Sequence, residues 1–313
     1  MSASKLKHVF GPVPSRRLGR SLGVDLVPFK TCTYDCIYCQ LGRTTDKTTR
    51  RKEYVPVDEV LREVERKISS GVQADFITLS GSGEPTLHSG CGEIIRGIKK
   101  VTQIPVAVLT NGSLLWDSSV REGLLSADLV IPSLDAGKAE VFKKVNQPHP
   151  SIGFEQMVNG LIEFGASFQG QVWLEVFLLG GLTALEPEAG EIAAQIQKIK
   201  PNRIQLNTVA RPPAYETALA VPEAEMLRLV TLFGESAEVV ADFGGIHAKK
   251  DFSKSRQDVL DLLERRPCTL DDISISLGIH RNEAVKYLNN LLKQSIVTTR
   301  QMGDKLFYIS LRH

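Results

Sequence analysis

Thr31-Cys32-Thr33-Tyr34-Asp35-Cys36-Ile37-Tyr38-Cys39-Gln40 holds three of the chain's five cysteines, spaced C-x3-C-x2-C. Soft thiolates crowded into one loop select zinc, copper(I) or an iron–sulfur cluster. A structural zinc site normally takes four protein ligands, and this loop holds neither a fourth cysteine nor a histidine. Three ligands on a four-iron cluster leave one iron open to a small molecule. A zinc site and a redox thiol pair stay open beside the cluster at this point.

Outward from the loop, short apolar runs alternate with amphipathic stretches. Strands are expected at Gly23–Val27, Phe76–Ser80, Val106–Thr110, Leu129–Ser133, Val172–Leu179, Arg203–Thr208 and Glu238–Ala241. Helices are expected at Val57–Ser69, Cys91–Val101, Ser118–Leu125, Lys138–Val145, Ile152–Phe164, Glu188–Ile199 and Pro222–Phe233. Val57, Val60, Leu61, Val64 and Ile68 show the 3.6-residue period of a helix with one apolar face. Strands alternating with helices of about ten residues imply parallel βαβ units. Six or seven such units fit a closed or partly closed α/β barrel, with a doubly wound open sheet as the alternative.

The triplet resembles the C-x3-C-x-aromatic-C signature of the radical S-adenosylmethionine (SAM) superfamily, with Tyr38 at the aromatic position. The resemblance implies a full or partial (β/α) barrel of radical SAM type, with Cys32, Cys36 and Cys39 on a [4Fe–4S] cluster and SAM on the open iron. After Phe76–Ser80 comes Gly81-Ser82-Gly83-Glu84-Pro85-Thr86, similar to the superfamily's glycine-rich acidic motif. The resemblance implies that Ser82, Gly83 and Glu84 hold the methionine end of SAM, in keeping with glycine's close backbone approach and a carboxylate's pairing with an ammonium. Asn111, Ser133 and Asp135 follow the next two strands and resemble the family's contacts to the SAM ribose and carboxylate. Asn207 ends a later strand, where a turn role is equally open. Gly11-Pro12-Val13-Pro14-Ser15-Arg16-Arg17-Leu18-Gly19, then Gly23-Val24-Asp25, resembles an iron–sulfur oxidoreductase subfamily grouped with the archaeal wyosine tRNA-modifying synthase. That synthase uses further N-terminal cysteines for a second cluster, and this chain has none before Cys32. Cys91 and Cys268 are expected to be structural thiols.

The texture changes after Phe243. Gly244-Gly245, Lys249-Lys250 and Ser253-Lys254-Ser255 read as a linker. Three helical patterns follow, at about 257–265, from the N-cap Thr269 to Gly278, and at about 281–294. Strands at Ile296–Gln301 and Lys305–Ser310 flank Met302-Gly303-Asp304, a hairpin signal. Three helices and a hairpin are the winged-helix plan. The expected division is therefore a radical SAM barrel over 1–243, a linker over 244–255 and a winged helix-turn-helix domain over 256–313. A chain of 313 residues accommodates one large and one small domain at roughly 100–200 residues each.

The chain carries 38 Lys+Arg and 36 Asp+Glu, which excludes a globally basic nucleic-acid coat or an acidic disordered tail. Locally, residues 1–52 hold 11 Lys+Arg against three Asp, or +8, flanking the cysteine loop. This basic rim points to a polyanionic substrate such as tRNA. In the small domain His280, Arg281 and Asn282 stand where a reading helix meets a groove, with Lys286 one turn on and Lys305 in the wing. Met1–Phe10 has no signal-like apolar run, and the apolar stretch Val172–Leu182 is short and interrupted by Glu175, so a cytoplasmic protein without a membrane association is expected. The implied activity is reductive cleavage of SAM to a 5′-deoxyadenosyl radical, directed at tRNA or another nucleic acid. A flavodoxin or ferredoxin would be a suitable electron donor. A radical SAM enzyme of a peptide or small metabolite is the second reading, and a cluster-bearing, redox-sensing DNA-binding regulator the third.

Overall fold

The computed structural model describes residues 8–241 and 256–311. The linker expected over 244–255, and residues 242–243 before it, lie outside the described residues. The strands are β1 (Val9–Ser15), β2 (Gly19–Val24), β3 (Thr31–Cys32), β4 (Asp46–Lys47), β5 (Phe76–Leu79), β6 (Val106–Thr110), β7 (Leu129–Pro132), β8 (Gln171–Phe177), β9 (Arg203–Asn207), β10 (Ala237–Val239), β11 (Val297–Met302) and β12 (Lys305–Ser310). The helices are α1 (Val57–Ser69), α2 (Cys91–Val101), α3 (Ser118–Leu124), α4 (Ala139–Val145), α5 (Phe154–Ser167), α6 (Glu186–Ile199), α7 (Glu223–Leu229), α8 (Arg256–Leu263), α9 (Leu270–Leu277) and α10 (Arg281–Lys293).

Eight strands form one sheet in the order β1-β2-β5-β6-β7-β8-β9-β10. Every pairing from β2 to β10 is parallel; β1 alone is antiparallel, against β2. The order never reverses, whereas a doubly wound sheet turns back at a switch point. The sheet curls: the turn between β1 and β2 reaches strands far across it, with Arg17 Nη1 3.1 Å from Glu175 on β8 and Arg16 Nη1 donating to the Val240 carbonyl at 2.7 Å. This is the partly closed α/β barrel.

Alternation along each strand builds two layers. Val106, Val108, Val130, Leu174 and Val176 turn outward into one large core with Val60, Val64, Ile94, Ile95 and Ile98 of α1 and α2. Ala107, Leu109, Leu129, Ile131 and Trp173, from the same strands, form a smaller cluster on the other face. Farther along β8, Glu175 and Phe177 line the cavity described below.

Two readings of the sequence need correction. The first barrel strand is Gly19–Val24, not Gly23–Val27, so the loop carrying the cysteines begins earlier. Val9–Ser15 also forms a strand, although two prolines interrupt it. Proline is tolerated at a sheet edge, and the register shifts between Phe10 and Val13.

Residues 256–311 have their own buried cluster, including Val259, Leu263, Ile273, Leu288, Leu291 and Val297. Thr269 caps α9 through a reciprocal pair with Asp272, and Gly278 ends it in the left-handed conformation. The hairpin β11–β12 turns at Gly303, whose φ is +59°. Helix α9 packs against β1. No helix among the described residues is long and apolar enough to cross a membrane.

Candidate functional site

The cysteine loop is held from both sides. Asp35 and Ile37 donate backbone hydrogen bonds to Asn146 and Val145 at the end of α4, and His149 donates to Thr33. On the other side, Glu84 N–H donates to the Thr31 carbonyl. Gly83 explains why glycine stands in the Gly81–Glu84 turn: a Cβ there would lie 1.9 Å from that same Thr31 oxygen. Ser82 presents its N–H and hydroxyl to Asp25, which follows β2, and its carbonyl accepts from Lys30 N–H at 2.7 Å. The turn and the loop therefore form one hydrogen-bonded body at the C-terminal ends of the strands, where barrels of this kind place their chemistry.

Each cysteine sulfur receives one nitrogen donor. Asn111 Nδ2 lies 3.5 Å from Cys32 Sγ, Asn146 Nδ2 lies 3.5 Å from Cys36 Sγ and Lys30 Nζ lies 3.1 Å from Cys39 Sγ. All three thiols are free. Burial pushes the Cys32 thiol up to about 12 and raises Cys36 strongly, with nearby carboxylates and the other thiols adding to the rise. Three thiolates crowded together need a cation. Sulfurs on one tetrahedral zinc stand about 2.3 Å from the metal and hence within about 4 Å of each other. Among the described residues the trio whose ligand atoms all lie within 4.8 Å is His8, Glu59 and Glu63, not the cysteines. Three cysteines with no fourth cysteine or histidine in the loop suit a cluster that keeps one iron open better than a structural zinc.

Glu84 is buried at 2% exposure. Its carboxylate accepts from the Thr86 N–H and hydroxyl, the Thr110 hydroxyl and the Asn111 N–H at 2.6–3.0 Å. Burial raises its pKa and these donors oppose the rise. Oε1 takes three of the four bonds, leaving acceptor capacity on Oε2 for an ammonium. Asn111 turns its amide to the cysteine loop, giving its second hydrogen to Thr33 Oγ1 at 2.7 Å.

Asp135 is the centre of a second group. The β7–β8 ladder pairs Leu129 with Gln171 and Val130 with Val172, and beyond it Phe177 N–H donates to Asp135 Oδ1 at 3.0 Å. Tyr38 donates its hydroxyl to Asp135 and stacks on Phe177, with centroids 4.0 Å apart. Asn146 Nδ2 also donates to Asp135, at 2.7 Å. Burial lifts Asp135 to about 6 against these three donors. Tyr38, Cys39, Ser82 and Ser133 line a cavity of about 910 Å³, together with Glu175 and Asn207. Burial pushes Glu175 up, but Arg17 and the Asn207 amide outweigh it and hold the carboxyl below its ordinary value. Arg17, expected on the basic rim, is thus turned inward into an ion pair.

The far wall of the cavity comes from residues 256–311, including Arg265, Arg266, Arg281 and Lys305. Arg265 lies 3.9 Å from Asp25 and 3.4 Å from the centre of the Phe10 ring. Arg211 pairs with Asp272 at 3.4 Å, and Arg300 with Glu216 at 3.3 Å. His280 caps α10, and Arg281 pairs with Asp271. Cys91 and Cys268 are buried, as expected of structural thiols.

The cofactor and metal candidates gather around the cysteine loop or line this cavity, and Asn207, Arg281 and Lys305 line it too; His280, Asn282 and Lys286 do not. Lys30, Asn146 and the Arg17–Glu175 pair were not singled out. Asn146 and Glu175 lie far along the chain from their partners, and no local spacing marks them. Asp25 carried a signal, since it stands in the Gly23-Val24-Asp25 stretch.

A family model described as the radical SAM superfamily matches residues 26–188. The chain is 41% identical over 310 residues to a protein named GTPase Obg from Brachyspira hyodysenteriae, covering 98% of this chain but only 46% of that protein. It is 30% identical to a UPF0026 protein of Methanocaldococcus jannaschii, covering 96% and 95% of the two chains. Its fold is similar to that of a radical SAM methyltransferase from Sphaerobacter thermophilus, with a TM-score of 0.54 at 16% identity, over 72% of this chain and 67% of that one.

Proposed function

The chain belongs to the radical SAM superfamily, whose enzymes use a [4Fe–4S] cluster and SAM, and from that premise we propose that it generates a 5′-deoxyadenosyl radical to modify a nucleic-acid base, tRNA first among the candidates. The observation that carries the radical chemistry is the cysteine trio with one nitrogen donor on each sulfur, joined by hydrogen bonds to the Gly81–Glu84 turn. When bound, the cluster supplies the electron that splits SAM reductively.

The chain's own residues have separable tasks. Cys32, Cys36 and Cys39 would hold the cluster. Glu84 would take the methionine ammonium of SAM through Oε2, with Ser82 and Gly83 shaping the turn. Tyr38, Ser133 and Asp135 would border the nucleoside end. The buried inner face and the covering unit keep water from the reacting groups.

The nucleic-acid part rests on charge. Arg43 and Arg50 stay solvent-facing beside the loop, and Arg266, Arg281 and Lys305 border the same cavity from the other side. The C-terminal helices and hairpin, read as a winged helix, would hold the polyanion against the barrel mouth. The second reading, a small metabolite, is favoured by the cavity's volume, which suits a compact ligand. Anaerobic turnover with and without bulk tRNA separates the two. Stimulation of 5′-deoxyadenosine release by tRNA, with a mass change in a digested nucleoside, supports the first. No stimulation by tRNA, together with stimulation by a low-molecular-weight extract, supports the second.

A further inference from the structure

Resting on the cluster reading above, we propose that Lys30, Asn111 and Asn146 set the reduction potential of the cluster by donating one hydrogen bond to each ligating sulfur, with Lys30 the strongest of the three. The donors come from three separate places in the chain: the loop after β2, the end of β6 and the end of α4. Their convergence, one per sulfur, is therefore a feature of the tertiary fold.

The two asparagines act alike. Each carboxamide nitrogen gives one hydrogen to sulfur and the other to oxygen, Thr33 Oγ1 for Asn111 and Asp135 Oδ2 for Asn146. The oxygen bond fixes the amide plane and so aims the second hydrogen at the sulfur. Lys30 is held more firmly still. It is 3% exposed, its N–H donates to Ser82, and its carbonyl accepts from Thr45 and Asp46. Its φ of +58° is a conformation that a side chain with a Cβ rarely adopts. Burying an ammonium is costly without a negative partner, and the partner it meets is Cys39 Sγ. The same positive charge also reaches Cys32.

Hydrogen bonds to the ligating sulfurs and nearby positive charge favour the more negative, reduced state of a cluster and raise its potential. The reduction in question adds one electron, from an external one-electron donor, to the oxidised cluster. Lys30 supplies both a hydrogen bond and a full charge, and each asparagine a hydrogen bond alone.

The test is a dithionite titration of the reconstituted full chain without SAM, followed by the EPR signal of the reduced cluster, with iron counted in every sample. Lys30→Met should titrate at a more negative midpoint than wild type, Lys30→Arg should return most of the way, and Asn146→Ala should shift less, in the same direction. A purely structural role would lower iron content and leave the midpoint of the loaded fraction in place. Midpoints equal to wild type in cluster-bearing variants overturn the inference. If Lys30→Met takes up no iron, Asn146→Ala and Asn111→Ala carry the same decision. Wild-type chain that assembles no cluster overturns the reading beneath it, a failure visible before any variant is made.

Discussion

The cysteine loop and the C-terminal unit face each other across one cavity, yet they are held in opposite ways. The loop is fixed by short buried hydrogen bonds from β6, α4 and the Gly81–Glu84 turn, most of them between groups that water does not reach. The C-terminal unit has its own apolar cluster and meets the barrel through charged side chains, Arg265 on Asp25 and Phe10, Arg211 with Asp272 and Arg300 with Glu216, and through Met302, which packs on a barrel cluster that includes Leu179 and Val209. Buried, mutually satisfied polar networks are rigid, whereas an ion pair that water reaches is weak and screened by salt; Arg300–Glu216 is of that kind, while Arg211–Asp272 and Arg265–Asp25 are largely covered. The barrel therefore holds the cysteine loop rigidly, and the C-terminal unit borders the cavity from across a more polar joint. Asp25 links the two, since it accepts hydrogen bonds from Ser82 and lies 3.9 Å from the Arg265 guanidinium.

Variants of the loop should break this contrast most severely. Cys36→Ala should abolish both cluster assembly and SAM cleavage; an iron content equal to wild type would remove Cys36 from the ligand set. Glu84→Ala should retain the cluster while SAM affinity falls at least about tenfold, the worth of one charged hydrogen bond. The same variant leaves four donors facing an empty space, so its melting temperature should also fall, by the equivalent of about 3 kcal/mol. Unchanged SAM binding in calorimetry would refute the role given to Glu84.

Asp135 sharpens the comparison through pH. Its folded pKa of about 6 lies above the ordinary carboxylate value, so the protonated form is favoured by the fold. Its contribution to stability is complete below about pH 4 and is lost as pH rises through about 6, a difference on the order of 3 kcal/mol. Asp135→Asn removes that slope. The variant's melting temperature relative to wild type should climb between about pH 4 and 6 and level off above 7; a difference flat across that range would contradict the burial argument.

The smallest effect belongs to the joint. Arg265→Ala gives up a ring contact and a partner for Asp25, on the order of 1–2 kcal/mol. Amides of α8 and of the Ser82 turn should exchange faster with solvent, while the cluster content stays as in wild type. Faster exchange in α8 alone would show that the two regions are uncoupled.

Legibility in the sequence followed the range of the interactions. Helix α1 was readable to the residue because its apolar face repeats locally, and α9 because its cap, first-turn acids and terminal glycine are adjacent in the chain. Strand β2 was misplaced because Gly19-Arg20-Ser21 lacks the branched residues of a strand, whereas Leu26-Val27 beyond it has them. Strand β1 was hidden by Pro12 and Pro14, which only an edge position tolerates. The cysteines announced themselves by spacing. Asn146, 110 residues from Cys36, and Lys30, whose role depends on a buried backbone bend, did not.

The most direct test of the account is anaerobic reconstitution of the chain with iron and sulfide, followed by dithionite and SAM, with 5′-deoxyadenosine measured by chromatography. About four irons per chain and accumulating 5′-deoxyadenosine are the expected result, following three cysteine ligands and one open iron. A cluster that forms but neither releases 5′-deoxyadenosine, with or without tRNA, nor changes its EPR spectrum when SAM is added would contradict it.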